Sequence, residues 1–360
     1  MPNDADVAGA LDVKTLWYTR CPVPNASSIA IDSGMLDREF RAIGVEVLSL
    51  RASDRQSVRE SHFDHSQPDS FREGGNIPPM WTQARSGGTR LIATGWVDEY
   101  QAIIALPDSG IRTVADLRGR RLGLPRRLND TIDYWRVMCL RAYLTALALA
   151  GIGEHEVEFV DLPIAERYIA SGGTGRDASL WSGAYRARRQ QADAFGLIRG
   201  TVDAIFTAGA PGAQLAAFLG ARDVIDLGRH PDPAVRVNNQ VPIALTVSAA
   251  LLDRRPDLVD SYLRVLMSAS EWAAANKSAA VRTIANDVGA PEEWVAAAYG
   301  EAVHTALTPR LGEDRLAALA AQKTFLVQRG FIERDFDLDA WVDPAPLARL
   351  DRHAKATSRA

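Results

Sequence analysis

The strongest constraint on this chain is the alternation of β-forming runs with helix-capable segments, clearest at its start. Residues 14–20, carrying Lys14-Thr15-Leu16-Trp17-Tyr18-Thr19, read as a short strand that Pro22 and Pro24 break; Asn25 then caps a helix running to about Leu36. Gly44 precedes a second strand, Val45-Glu46-Val47-Leu48-Ser49-Leu50. The spacing predicts a βαβ unit of a parallel sheet. Ligands of open parallel sheets bind beyond the carboxyl ends of the strands, and Cys21 falls just past the end of the first one.

The alternation continues. Leu91 to Thr94 and Gln101 to Leu106 read as strands, a long helix covers roughly Thr131 to Ala150, and Val157 to Leu162 and Val202 to Phe206 are further strands. After strand Ile243 to Val247 the pattern is helical, including 256–275 and Pro291 to Ala302. Residues 51–75 are polar and turn-rich and read as a connection. They end in Gly74-Gly75-Asn76-Ile77-Pro78-Pro79, where the prolines mark a helix start whose first N–H groups the glycines leave open to a ligand. At 360 residues the chain exceeds what one core supports, so two lobes are expected. The expected division is a first lobe over 1–105, a second over 106–225, and a return to the first over 226–360. Ser171-Gly172-Gly173-Thr174-Gly175 lacks the context of a phosphate loop and reads as a surface connection.

Composition removes several classes of function. A formal charge of −4 with no basic cluster on one helix face excludes nucleic acid as a partner. The N-terminus, MPNDADVAGALDVKT, is acidic and has no apolar core of an export signal, and the apolar stretch Leu144 to Ala150 is far short of the ~20 residues that span a bilayer. Cys21 and Cys139 are the only cysteines, too few for a disulfide framework or a thiolate metal site. His62, Asp64 and His65 have no companion ligand cluster, so no metal is expected. The expectation is a soluble, cytoplasmic monomer, with no membrane contact.

Two sets of motifs resemble known families. The run Asp108 to Leu124, the opening unit with Ser33-Gly34-Met35-Leu36, and Leu251-Leu252-Asp253-Arg254-Arg255-Pro256-Asp257-Leu258-Val259 resemble the solute-binding proteins of sulfonate and nitrate transporters. That resemblance implies an α/β, two-lobed, periplasmic-binding-protein-like fold of type II with ligand in the cleft between lobes. The second set is sharper. Tyr18-Thr19-Arg20-Cys21-Pro22-Val23-Pro24-Asn25-Ala26, and His62-Phe63, Gln67-Pro68, Arg72 and Gly74-Gly75 with Ile77-Pro78-Pro79, resemble the aromatic sulfinate desulfinases of dibenzothiophene desulfurisation. Those enzymes release sulfite from 2'-hydroxybiphenyl-2-sulfinate. Asp64 and His65 depart from the small polar residue and tyrosine of that pattern.

The second resemblance implies catalytic roles for Cys21, His62 and Arg72, no cofactor, and a small aromatic sulfinate as partner. His62 can hydrogen-bond the Cys21 thiol, which either protonates the ring carbon or attacks sulfur. Arg72, beside a helix N-terminus, can fork onto a pair of sulfinate oxygens together with the N–H groups of Gly74 and Gly75. Thr19, Asn25, Phe63, Gln67 and Trp135 complete the expected substrate site, whereas Cys139, in an apolar helix, reads as core. The alternative from another class is a non-catalytic binding protein for a sulfonate or related organic anion.

Overall fold

A computed structural model of the protein describes residues 13–169 and 191–357. Its strands are β1 (Thr15–Arg20), β2 (Glu46–Ser49), β3 (Ser70–Gly74), β4 (Thr89–Gly95), β5 (Gln101–Ala105), β6 (Arg121–Arg127), β7 (Glu158–Ile164), β8 (Ile205–Ala208), β9 (Arg222–Asp226) and β10 (Ile243–Ser248). They form two sheets, one in each lobe. The first has the order β2-β1-β3-β10-β4. The second contains β8-β5-β9, and the β6-β7 pair joins it where Leu122 bridges Ala204 and Gly123 N–H donates to Ala204 O at 3.0 Å.

The opening unit forms as the sequence suggests, with one break. Asn25 caps α1 (Ala26–Asp32), its Oδ1 accepting from Ser28 N–H at 2.8 Å. The single helix expected to about Leu36 stops at Ser33. Gly34 takes φ 71°, a left-handed turn that ends α1 and starts α2 (Met35–Arg41). β1 runs parallel to both β2 and β3, and the underside of the sheet packs on the long helix Pro256–Ala275. There Phe71 stacks on Tyr262 with centroids 3.8 Å apart.

Three expectations are corrected. Residues 51–75 are not a connection: they contain α3 (Gln56–Asp64) and β3. Neither carries an apolar period, because most of the buried residues are polar: Arg59, Ser61 and His62 beside Val58 on α3, and Ser70, Arg72 and Glu73 beside Phe71 within a strand buried along its whole length. The first sheet is mixed rather than parallel, since β10 runs antiparallel to β3 and β4. Finally, β5 belongs to the second sheet, pairing with β8 and β9, so the chain leaves the first lobe over 96–100, before β5 rather than after it. It returns over 227–242.

The long helix starts at Tyr134 under the Asp133 cap, and Cys139 within it is core, as expected. No described helix is long and apolar enough to cross a membrane. Ser171 to Gly175 lies outside the described residues.

Candidate active site

The site is built where β1 ends. Cys21 extends the ladder one residue beyond the strand, its N–H donating to Glu73 O at 2.9 Å, and Pro22 then turns the chain away. Asn25 staples this loop, its Nδ2 donating to Cys21 O (3.2 Å) and Val23 O (2.6 Å). The thiol therefore sits on rigid backbone. β3 lies beside β1 in parallel register, with Thr19 opposite Arg72, and this register brings Arg72 to the Cys21 loop.

Three groups converge on the Cys21 sulfur. Gly75 N–H points at Sγ from 3.4 Å, His62 Nε2 lies 3.6 Å away and Arg72 Nη2 lies 3.7 Å away. The other ring nitrogen of His62, Nδ1, is 2.8 Å from Thr19 Oγ1. Arg72 is held in turn by backbone, its Nε donating to His62 O and its Nη1 to Gly75 O, both at 2.9 Å. Thus one guanidinium ties together helix α3, the Gly74–Gly75 segment and the cysteine. Burial, then the charge of Arg72, holds the His62 imidazole well below its usual pKa, so the ring is neutral at neutral pH. Burial also draws the Arg72 pKa down, opposed by Cys21.

The two glycines are there for close approach. A Cβ on Gly74 would stand 2.3 Å from Cys21 Sγ, and one on Gly75 would run into the Asn239 side chain at 2.4 Å. The next helix, α4 (Ile77–Arg85), does not present an open N-terminus, contrary to the sequence expectation. Asn76 N–H donates to Asn239 O at 2.8 Å and Ile77 N–H to Asn239 Oδ1 at 2.9 Å. Of the expected anion donors, Gly75 N–H is spent on the sulfur.

Gly74→Ala is expected to push the cysteine loop off its register. Turnover should fall on the order of 10²-fold, as for an ångström-scale misplacement, with about 1–3 kcal/mol of stability lost to overpacking. Steady-state kinetics and a thermal melt check this, and wild-type turnover in the variant would refute the close-approach role.

A small cavity opens over the sulfur, lined by Cys21, His62, Phe63, Arg72, Tyr134 and Gln240 among others. Its outer wall is aromatic. Phe63 meets His62 edge-on at 4.9 Å and stacks on Tyr134 at 6.1 Å, and Tyr134 stacks on Tyr168 at 4.5 Å. Beyond Phe63 and Tyr168 a larger cleft lies between α3 and α4 on one side and residues of the second lobe, including Asn129 and Thr131, on the other. The cavity thus brings together groups from both lobes.

Comparisons with known proteins agree with this arrangement. No protein-family model matches the chain. Over 364 residues it is 31% identical to the 2'-hydroxybiphenyl-2-sulfinate desulfinase of Rhodococcus erythropolis, covering 94% of each chain. The chain belongs to this desulfinase family. The desulfinase of Rhodococcus qingshengii matches with the same identity and coverage. Among solved structures, a cysteine-to-serine mutant of the desulfinase DszB in complex with biphenyl-2-sulfinic acid superposes with TM-score 0.75 at 30% identity, covering 94% of this chain and 99% of that one. The periplasmic aliphatic sulphonate binding protein SsuA of Escherichia coli, 14% identical with TM-score 0.65 over 92% of each chain, shares the two-lobed fold.

In this desulfinase, four residues expected around the substrate do other work. Thr19, 1% exposed, lies against the His62 ring. Asn25 holds the cysteine loop. Gln67 does not line the cavity: its backbone N–H donates to Ser61 Oγ and its carbonyl accepts from Ser70 Oγ, which shapes the turn between α3 and β3. Trp135 is fully buried in the second lobe, its Nε1 donating to Asp193 at 2.9 Å, because the helix turns that face inward; its neighbour Tyr134 faces the cavity. His65 is wedged between Thr82 Oγ1 (3.2 Å) and Thr246 Oγ1 (3.4 Å), and burial brings its pKa down to about 3. Asn239, Gln240 and Tyr134 were not legible as site residues. The polar run Asn238-Asn239-Gln240 ahead of Val241-Pro242 is the one sequence signal that marks a built turn there.

Proposed function

We propose that this chain cleaves the carbon–sulfur bond of an aromatic sulfinate, 2'-hydroxybiphenyl-2-sulfinate or a close analogue, with Cys21 as the proton donor. The observation that carries the reading is the convergence of Gly75 N–H, His62 and Arg72 on one sulfur beneath an aromatic wall. In the overall reaction the sulfinate anion and one water become the arene and hydrogensulfite. The Cys21 thiol gives its proton to the ring carbon as the carbon–sulfur bond breaks, and the bonding pair goes to the new C–H bond. Sulfur dioxide departs, leaving a thiolate.

The negative charge that develops on Cys21 forms where the guanidinium and the Gly75 N–H already point, so little reorganisation is needed. Water then hydrates the sulfur dioxide to hydrogensulfite and a proton, and the proton restores the thiol. His62, neutral and weakly basic in its buried place, orients the S–H rather than removing its proton. The neutral ring also avoids placing a second cation beside Arg72. Phe63 and Tyr134 hold the arene and keep bulk water from the reacting carbon.

The membership in a desulfinase family supports catalysis over passive binding of an anion. We further propose a cytoplasmic monomer: a single chain supplies the cavity's lining, and two free buried thiols suit a reducing compartment. The decisive experiment incubates the purified protein with 2'-hydroxybiphenyl-2-sulfinate and follows sulfite and 2-hydroxybiphenyl. Equimolar appearance of both is expected. Binding without release of either product would return the chain to the solute-binding class.

A further inference from the structure

Gln240 stands in the turn by which the chain re-enters the first lobe. The turn is closed by Asn238 N–H donating to Val241 O (3.0 Å) and Val241 N–H donating to Asn238 O (3.3 Å). Asn76 clamps it from the side, its Nδ2 donating to Asn238 O and to Pro242 O, each at 2.8 Å, and its N–H donating to Asn239 O at 2.8 Å. Asn238 Nδ2 reaches across to Met138 O in the second lobe at 3.2 Å. The backbone under Gln240 is therefore fixed on three sides.

The side chain on this fixed turn lines the catalytic cavity, and its Oε1 is buried with no hydrogen-bond partner among the described residues. Asn76 Oδ1 is also unpaired but does not line the cavity. A buried carbonyl without a donor is costly, and the clamped turn keeps the base of this side chain at the cavity. Gln240 lines both this cavity and a second small pocket bounded by Glu99, Met138 and Tyr299, and a ligand in the catalytic cavity is the occupant that can bring a donor to it. A sulfinate anion brings acceptors alone, so a substrate that pairs with Oε1 does so through another of its groups.

We propose that Gln240 is a specificity-determining residue whose Oε1 accepts a hydrogen bond from a hydroxyl on the second ring of the aromatic sulfinate. This rests on the desulfinase reading above and adds to it a reason for preferring a hydroxylated biaryl over a bare one. A site with a buried acceptor rejects the analogue lacking the hydroxyl, because that analogue leaves the acceptor unpaired. The named substrate of the related desulfinases carries such a hydroxyl, whereas biphenyl-2-sulfinic acid, the ligand in the DszB mutant complex, does not. The two compounds form a matched pair of probes.

The test measures both compounds in the same protein, so that any general loss of structure cancels in their ratio. By calorimetry, Cys21→Ser protein is expected to bind 2'-hydroxybiphenyl-2-sulfinate about fivefold to tenfold more tightly than biphenyl-2-sulfinate, the size of one neutral hydrogen bond. Adding Gln240→Met, or Gln240→Leu if the first folds poorly, should bring the ratio to within about twofold of one. A role confined to supporting the turn would weaken both ligands and leave the ratio unchanged, which overturns the proposal. Equal binding of the two compounds with Gln240 in place overturns it as well. Turnover of both by protein retaining Cys21, assayed in parallel, judges the desulfinase reading separately.

Discussion

Cys21→Ser is expected to reduce turnover by roughly 10²–10⁴-fold, the range lost with a positioned acid, while binding of the aromatic sulfinate stays within severalfold. Serine is nearly isosteric and keeps the N–H to Glu73 O and the loop staple from Asn25, so the cavity survives. What changes is acidity. A hydroxyl gives up its proton far less readily than a thiol, and neutral His62 cannot make up the difference. Single-turnover release of sulfite, with calorimetric binding of the same ligand, separates chemistry from binding. The control is Cys139→Ser. That side chain is buried in the helix of the second lobe, away from the cavity lining, and its loss should cost stability rather than turnover. Normal turnover by Cys21→Ser, or a loss confined to Cys139→Ser, would mean that the reacting group lies elsewhere.

Arg72→Ala should weaken binding of the anionic sulfinate by on the order of 10–10²-fold, the value of a lost charge-assisted bond of about 1.5–3 kcal/mol. Binding of the neutral phenolic product should change much less. The structure adds a second effect. Two arms of the guanidinium are taken by His62 O and Gly75 O, so truncation leaves two buried carbonyls unpaired and removes the tie between α3 and the glycine segment. A drop in melting temperature is therefore expected along with the loss of affinity. Arg72→Lys should recover part of the affinity and little of the geometry, because one ammonium cannot reach both carbonyls and the sulfur together. Titrations of sulfinate and phenol against each variant decide the matter. Equal weakening for both ligands would make Arg72 a support for the loop alone, and the anion would then be bound by other groups of the cavity.

Much of this protein could be read in its sequence because local chemistry dictated it. Alternating β-forming runs and a capping asparagine announced the β1–α1–β2 unit, and the proline break placed Cys21 at the end of β1. The motif around Cys21, with His62, Arg72 and the glycine pair, pointed to the family, and the structure brings those residues into one cluster. In the first case the information lies in neighbouring residues, and in the second it lies in two short blocks that resemble a known family.

What only the tertiary structure decided involves faces that meet across the chain. α3 and β3 were illegible because most of their buried residues are polar, among them His62 and Arg72 of the site, and hydrophobic periodicity does not report buried polar residues. The placement of β5 in the second sheet, and the antiparallel entry of β10 into the first, follow from where the chain crosses between lobes, which no local pattern encodes. Trp135 and Tyr134 are adjacent in sequence and equally aromatic, yet helix packing turns one into the core and the other toward the cavity. Gln240 is 219 positions from Cys21 in the sequence. It joins the cysteine's cavity only because the return crossover folds against the start of α4, where the Asn76 side chain can bond the turn's carbonyls.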